Sequence, residues 1–365
     1  MIRLNGSSSS GAAPEETSAA ADPGRGGTEP GLVQQNAPQV FRLGYRPGLD
    51  GLRGLSILGV LLTHTELVNN RAGLIGVDVF FVLSGFLITC LLVEEWDRFH
   101  SISLRRFYLR RVLRLLPALV VMLGVVAAYH WMFKPRTAAQ AVTVDALVAL
   151  FYSANWAQVI QYHTPNVLGH AWSLSIEEQF YLIWPLVLIF LLRRTASRKS
   201  MLSWVLLAAC LPLVTRVLLL TTIVDPTAYR ILYGTDTRGD ALLLGCALGV
   251  AFNSGLAMQA RPVMAASKWM AWIALLGLVC LTFYQTGRLD LGLCVILFLI
   301  PALATVVLTQ VVLYETGTPN RSSRNRGWCM WGKSLTACIC GTIRSSSRSN
   351  PTIGPPVRNW RLNWL

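Results

Sequence analysis

The sequence predicts an all-α fold, a polytopic transmembrane bundle of about eight to ten helices, and three observations predict it. Charged residues make up only 14% of the chain and hydrophobic ones 53%, where soluble domains carry about 25% charge. Apolar runs recur near the ~20 residues a bilayer core demands, at 54–69, 73–93, 112–132, 171–192, 201–223, 241–257, 269–286 and 291–313. Arginines gather at the ends of these runs, as membrane topology requires.

Taken in order, residues 1–40 are rich in Ser, Ala, Gly, Pro and Glu. Such a segment cannot bury enough apolar surface to fold and reads as a disordered tail. No cleavable signal peptide precedes the first run. A membrane domain follows over 41–333. Arg42, Arg46 and Arg53 precede the first span and place the N-terminus in the cytoplasm. Arg105, Arg106, Arg110, Arg111 and Arg114 follow the second span on the same side, and Arg193, Arg194, Arg198 and Lys199 follow 171–192. These positions agree only if the weaker segment 141–158, which contains Asp145 and Asn155, does not cross. The charge rule thus gives eight crossings, with 133–170 and 224–240 facing outward.

The net charge of +14 follows from this flanking pattern and implies no nucleic-acid partner. The eight cysteines form no disulfide framework; Cys90, Cys210, Cys246, Cys280 and Cys294 lie in apolar runs and read as core residues. No Gly-x-x-x-x-Gly-Lys-Ser/Thr loop occurs. His163 and His170 are spaced too widely for the usual short metal-ligand pairs, so no metal site is expected.

Ionisable groups inside a span are costly and are functional candidates by default. Arg53 and His64 lie eleven helical steps apart, about three turns, so they share one face with a separation of roughly 16 Å. Arg53 then sits near the cytoplasmic surface and His64 near mid-membrane. Imidazole suits proton transfer because its pKa lies near neutrality; the structural alternative is a histidine bonded to a neighbouring helix. Asp78, in Gly76-Val-Asp78-Val-Phe-Phe-Val-Leu-Ser84-Gly85, reads as a structural polar contact that braces the Arg53 helix, with Gly76 and Gly85 allowing close approach. The arginines from Arg105 to Arg114 form a guanidinium cluster suited to phosphates, or a topogenic signal meeting anionic headgroups. In Trp172-Ser173-Leu-Ser-Ile-Glu177-Glu178, two adjacent acids enter an apolar helix. Neighbours face different directions, so one faces the interior and the other a cavity or partner. Asp236-Thr-Arg238-Gly-Asp240 precedes a span and is expected to face outward and line an acceptor site.

In order, these segments resemble the acyltransferase-3 family of integral membrane O-acyltransferases. The matching text is Leu49-Asp50-Gly-Leu-Arg53-Gly with the gap to His64, Gly76-Val-Asp78-Val-Phe-Phe-Val-Leu-Ser84-Gly85, Phe107-Tyr-Leu-Arg110-Arg111-Val-Leu-Arg114-Leu-Leu-Pro117, Trp172-Ser-Leu-Ser-Ile-Glu177-Glu178-Gln-Phe-Tyr181 and Thr237-Arg238-Gly-Asp240. The resemblance implies transfer of an acyl group, commonly acetyl, from cytoplasmic acyl-CoA to a hydroxyl of a carbohydrate, glycolipid or other cell-envelope acceptor, in the cell (inner) membrane. It implies an essential Arg-and-His pair, carried onto Arg53 and His64, and it favours a crossing at 141–158, against the charge argument. Glu177 or Glu178 then orients the imidazole or balances charge. Direct transfer with His64 as base and an acyl-enzyme on His64 both remain open. A polytopic transporter is the rival class, but the paired inverted repeats that would mark it are not visible.

The resemblance breaks after Lys333. Family members continue with a helix opening Gly-Lys-Ile-Ser-Tyr-Gly-Leu-Tyr-Leu-Trp-His-Tyr-Pro-Ile. Back-translating that text with suitable codons, and deleting one nucleotide after the Lys codon, yields Ser334-Leu-Thr-Ala-Cys338-Ile-Cys340-Gly-Thr-Ile-Arg344 residue for residue. Residues 334–365 are therefore expected to be an out-of-frame, disordered tail with the last family helix missing. Cys338-x-Cys340 is then no redox or metal motif, and an inactive truncated remnant is the third reading of this copy.

Overall fold

The computed structural model describes residues 41–63, 70–161, 167–222, 228–259, 269–283 and 291–317. His64, the tails 1–40 and 318–365, and the expected frame change at 334 lie outside them. Every regular element described is helical: α1 (Pro47–Thr63), α2 (Asn70–Phe99), α3 (Leu104–Phe133), α4 (Arg136–Leu150), α5 (Ala154–Ile160), α6 (Trp172–Arg194), α7 (Arg198–Thr222), α8 (Ala228–Tyr233), α9 (Thr235–Asn253), α10 (Leu256–Gln259), α11 (Trp269–Phe283) and α12 (Leu291–Gly317).

Five of these contain stretches long and apolar enough to cross a membrane: Gly73–Phe99, Leu104–Phe133, Gly169–Arg194, Arg198–Thr221 and Cys294–Tyr314. The eight expected spans map onto eight helices, but three differ in kind. The described part of α1 ends at Thr63. α9 has 19 residues and opens with Asp236, Arg238 and Asp240, so its charges, held by packing, take it out of the purely apolar class. α11 is short, with an apolar stretch of Trp269–Leu281. The disputed segment 141–158 is neither a straight span nor a loop. α4 and α5 are separate helices bent by 119°, and Asp145 and Asn155 are both buried.

α2 is the hub. Its membrane stretch is 72% buried, and it packs against α1, α9 and α12. Its contact with α9 is set by glycines on both sides. A Cβ on Gly85 would collide with the Leu242 carbonyl oxygen, and one on Gly245 with the Val82 carbonyl oxygen. A turn further along, a Cβ on Gly249 would come within 2.9 Å of Thr89 Cβ. Small residues four apart bring membrane helices to backbone contact, where dispersion and short polar contacts replace the hydrophobic drive that lipid removes. Gly76 does the same against α1, where an added Cβ would stand 2.6 Å from the Ser56 carbonyl oxygen.

Phe81, Phe86, Leu242, Phe252, Ile300 and Leu308 fill the core around α2, α9 and α12. Ile88, Leu92, Trp184, Leu188 and Met201 form a second cluster toward α6 and α7. α3 stands apart, for its apolar stretch is only 11% buried. In water such a surface would be expensive; in hydrocarbon Val121 and Val125, both about two-thirds exposed, lose nothing by facing lipid. Cys90, Cys246 and Cys294 are buried as expected, but Cys210 and Cys280 are exposed, since helices α7 and α11 turn those positions away from the bundle.

Candidate active site

A cavity of about 460 Å³ opens between α1, α2, α3 and α6. Helix α1 contributes Arg53 and Ser56, followed a turn later by Val60 and Leu61. His64 follows Leu61 by three positions but lies outside the described residues. Arg53 lies 3.5 Å from Asp50 across one helical turn, both half-exposed, a pairing that contributes little in such a setting.

Helix α6 supplies the acids. It rises from a 3-10 turn at Gly169–Ala171, and successive side chains diverge by about 100°. Glu177 therefore turns to α2 and the cavity, and Glu178 to α3. The Ser84 hydroxyl donates to Glu177 Oε1 at 2.5 Å. The Tyr181 hydroxyl, one turn on, donates to the same oxygen at 2.7 Å. Glu178 accepts from Arg111 Nε at 2.8 Å through Oε2, and from Arg111 Nη2 through Oε1. The same guanidinium lies over the Tyr181 ring, 3.4 Å from its centroid. Ser173 also lines the cavity, and its hydroxyl lies 3.5 Å from the His170 carbonyl oxygen.

The arginine cluster divides. Arg110, Arg111 and Arg114 line the cavity. Arg105 and Arg106 are exposed and do not line it. Helical geometry explains the split. Arg110 and Arg114 are four apart and share a face, Arg105 points away, and Arg106 lies a turn nearer the start of α3.

Two expectations need correction. Asp78 does not brace the Arg53 helix. It accepts from Arg238 Nη2 of α9 at 2.6 Å, with each side chain 1% exposed. Arg238 and Asp240 do not face outward toward an acceptor. Asp240 pairs with Arg216 of α7 at 2.5 Å, and Arg216 also donates to the Thr237 carbonyl at 2.7 Å. An unpaired charge in a membrane interior is expensive, and helix packing resolves it by matching two arginines with two aspartates. Trp172, expected on the structural or acceptor side, is a packing residue, edge-on to Phe81 at 6.4 Å and to Tyr233 at 5.0 Å.

Sequence reasoning missed Arg216, the hydroxyl of Tyr181, and a polar network that seats α5. Arg216 stood in plain view, a lone guanidinium inside the run 201–223. In the network, Gln179 Nε2 donates to the Tyr152 carbonyl at 2.7 Å and to Asn155 Oδ1 at 3.0 Å. Thr235 donates to Gln179 Oε1 at 2.5 Å.

Residues 46–350 match the family described as an acyltransferase domain, acyltransferase-3. The peptidoglycan O-acetyltransferase OatA of Listeria monocytogenes is 40% identical over 211 residues, 56% of this chain and 33% of that protein. The O-acetyltransferase OatA of Staphylococcus aureus is 40% identical over 210 residues, 56% of this chain and 34% of its own length. The putative peptidoglycan O-acetyltransferase YrhL of Bacillus subtilis is 34% identical over 252 residues, 66% of this chain and 39% of that protein. The chain thus spans a third to two-fifths of the relatives it matches, and no solved structure matches it. With its helical bundle, its apolar spans and a match over most of its length, the chain belongs to the acyltransferase-3 family, enzymes that transfer acyl groups.

Proposed function

We propose that the chain transfers an acetyl group from acyl-CoA, taken from the cytoplasm, to a hydroxyl of a cell-wall carbohydrate. The observation that carries this reading is the single cavity in which Arg53, Arg110 and Arg114 meet Glu177. Three guanidinium groups suit the phosphates of coenzyme A, and the peptidoglycan O-acetyltransferases among its relatives support acetyl as the group and peptidoglycan as the acceptor.

The arginine-rich helix ends support a cytoplasmic N-terminus in the cell membrane. The bend between α4 and α5 supports the even count of crossings that this orientation needs. Arg53 and Val60 line the same cavity, and His64 follows Val60 by four positions in the sequence. His64 takes the proton of the acceptor hydroxyl as its oxygen attacks the thioester carbonyl. The new C–O bond forms, the C–S bond breaks, and the CoA thiolate leaves as the free thiol with the proton that the His64 imidazolium gives up. Glu177 balances the imidazolium charge.

The test is transfer of labelled acetyl from acetyl-CoA to peptidoglycan glycan fragments by membranes carrying the full chain. Label in the glycan, lost in His64→Ala with membrane insertion unchanged, is the expected result. Transfer that survives His64→Ala removes His64 from the chemistry, and no transfer by either the unaltered chain or one whose reading frame is restored after Lys333 overturns the assignment.

A further inference from the structure

We infer that Arg111 is a positioning residue for Glu177 and not a phosphate ligand, and that Arg53, Arg110 and Arg114 alone meet the anionic part of the donor. The inference rests on the donor reading above and assigns separate work to adjacent arginines of one cluster.

Four observations carry it. The Arg111 fork is already occupied, with Nε and Nη2 both engaged by Glu178. One face of the guanidinium is covered by the Tyr181 ring at 3.4 Å. A planar cation so clamped has spent its bidentate geometry on a protein carboxylate, and a phosphate would have to displace it. Arg110 and Arg114 line the same cavity and are exposed, and no described carboxylate pairs with either. The charges available to a ligand are therefore theirs, with Arg53 opposite on α1.

What Arg111 does instead follows along the bonds. It holds the Tyr181 ring from one side. The Tyr181 hydroxyl donates to Glu177 Oε1 at 2.7 Å, and the Ser84 hydroxyl meets the same oxygen at 2.5 Å. Both donors end on Oε1, so among the described residues Oε2 has no protein donor, and Glu177 lines the cavity. Glu178, Arg111, Tyr181, Glu177 and Ser84 form one chain of contacts from α3 through α6 to α2. Its outcome is a carboxylate held in one orientation. Arg111 touches neither donor nor acceptor and acts on Glu177 through the Tyr181 ring and through its own nearby charge.

The experiment measures CoA binding to the purified full chain by calorimetry, and donor KM and kcat for acetyl transfer in the same preparations. Arg110→Gln and Arg114→Gln each lower CoA affinity about tenfold, because each removes a charge-assisted phosphate contact. The double variant Arg111→Gln/Glu178→Gln removes the ion pair and leaves no bare charge. It keeps CoA affinity and donor KM within about threefold while kcat falls about tenfold, the pattern of a lost interaction made only in the transition state. Arg111→Lys retains the cation but not the fork or the ring contact, and behaves as the double variant does. CoA affinity lost in Arg111→Lys or the double variant as fully as in Arg110→Gln overturns the inference, and so does an unchanged kcat. Failure of the unaltered chain to bind CoA overturns the donor reading and this inference with it; loss confined to the Arg111 variants overturns this inference alone.

Discussion

The guanidinium of Arg238 and the carboxylate of Asp78 meet at 2.6 Å across 160 residues of chain, with 1% of each side chain exposed. Asp78 Oδ2 and Arg238 Nε have no partner, so the pair is held by a single contact between its charged ends. Removing one charge strands the other inside the bundle. Asp78→Asn or Arg238→Gln is expected to destabilise the protein by about 3 kcal/mol, and the double substitution by less than either alone. Thermal unfolding in detergent of the two single variants and the double variant checks this. Strictly additive losses would show that the charges do not depend on each other.

The crossing of α2 and α9 makes a sterically sharper prediction. Gly245 abuts the Val82 carbonyl, and Gly85 the Leu242 carbonyl. Backbone cannot move aside as a flexible side chain can. Gly245→Ala or Gly85→Ala should cost about 1–3 kcal/mol, while Gly124→Ala on lipid-facing α3, where an added Cβ meets nothing within 4 Å, should leave stability unchanged or raised. Melting temperatures of the three variants decide it.

Glu177 depends on two hydroxyls, and each can be removed separately. Ser84→Ala and Tyr181→Phe each take one donor from Oε1. Each is expected to lower kcat about tenfold with donor KM unchanged. Removing both should cost less than the product of the single effects, because they act on one atom. Steady-state kinetics with acetyl-CoA varied gives the answer.

The α4–α5 bend predicts sidedness. With α4 and α5 bent by 119° and not aligned, and with the charge pattern placing 133–170 on the outer side, the start of α4 and the end of α5 are expected at the same membrane face. Cysteines introduced at Arg136 and Gln161, in a chain whose own exposed Cys210 and Cys280 are replaced, should both react with a membrane-impermeant maleimide added to intact cells. Labelling of one position only would mean that the pair crosses.

The sequence showed the long spans readily, because α2, α3, α6, α7 and α12 are continuous apolar runs whose length alone matches a bilayer. It also showed that Glu177 and Glu178 face different neighbours, since that follows from helical geometry. It did not show which neighbours. Arg238 and Asp240 sit at the start of an apolar run, where local pattern points to an exposed helix entry. Their burial comes from Asp78 on α2 and Arg216 on α7, and no local signal records those partners. The division of the arginine cluster was within reach of a helical wheel, which separates Arg105 from Arg110 and Arg114. Its direction required knowing that α6 lies beside α3.

Helix α3 carries this last feature furthest. It is 30 residues long, but its apolar run, 112–132, is about 31 Å, a match to the ~30 Å hydrocarbon layer, so the turns that bear Arg105 to Arg111 extend beyond that layer. Its apolar stretch lies mostly against lipid, and near the cavity it is pinned to α6 by the Arg111–Glu178 fork and by the Tyr108 hydroxyl, which donates to the Leu182 carbonyl at 2.8 Å. An apolar run of matched length gives the helix no reason to tilt away from those pins. The wall bearing Arg110 and Arg114 is thus expected where hydrocarbon gives way to headgroups, a depth that a thinner or thicker bilayer would move relative to the proposed donor site.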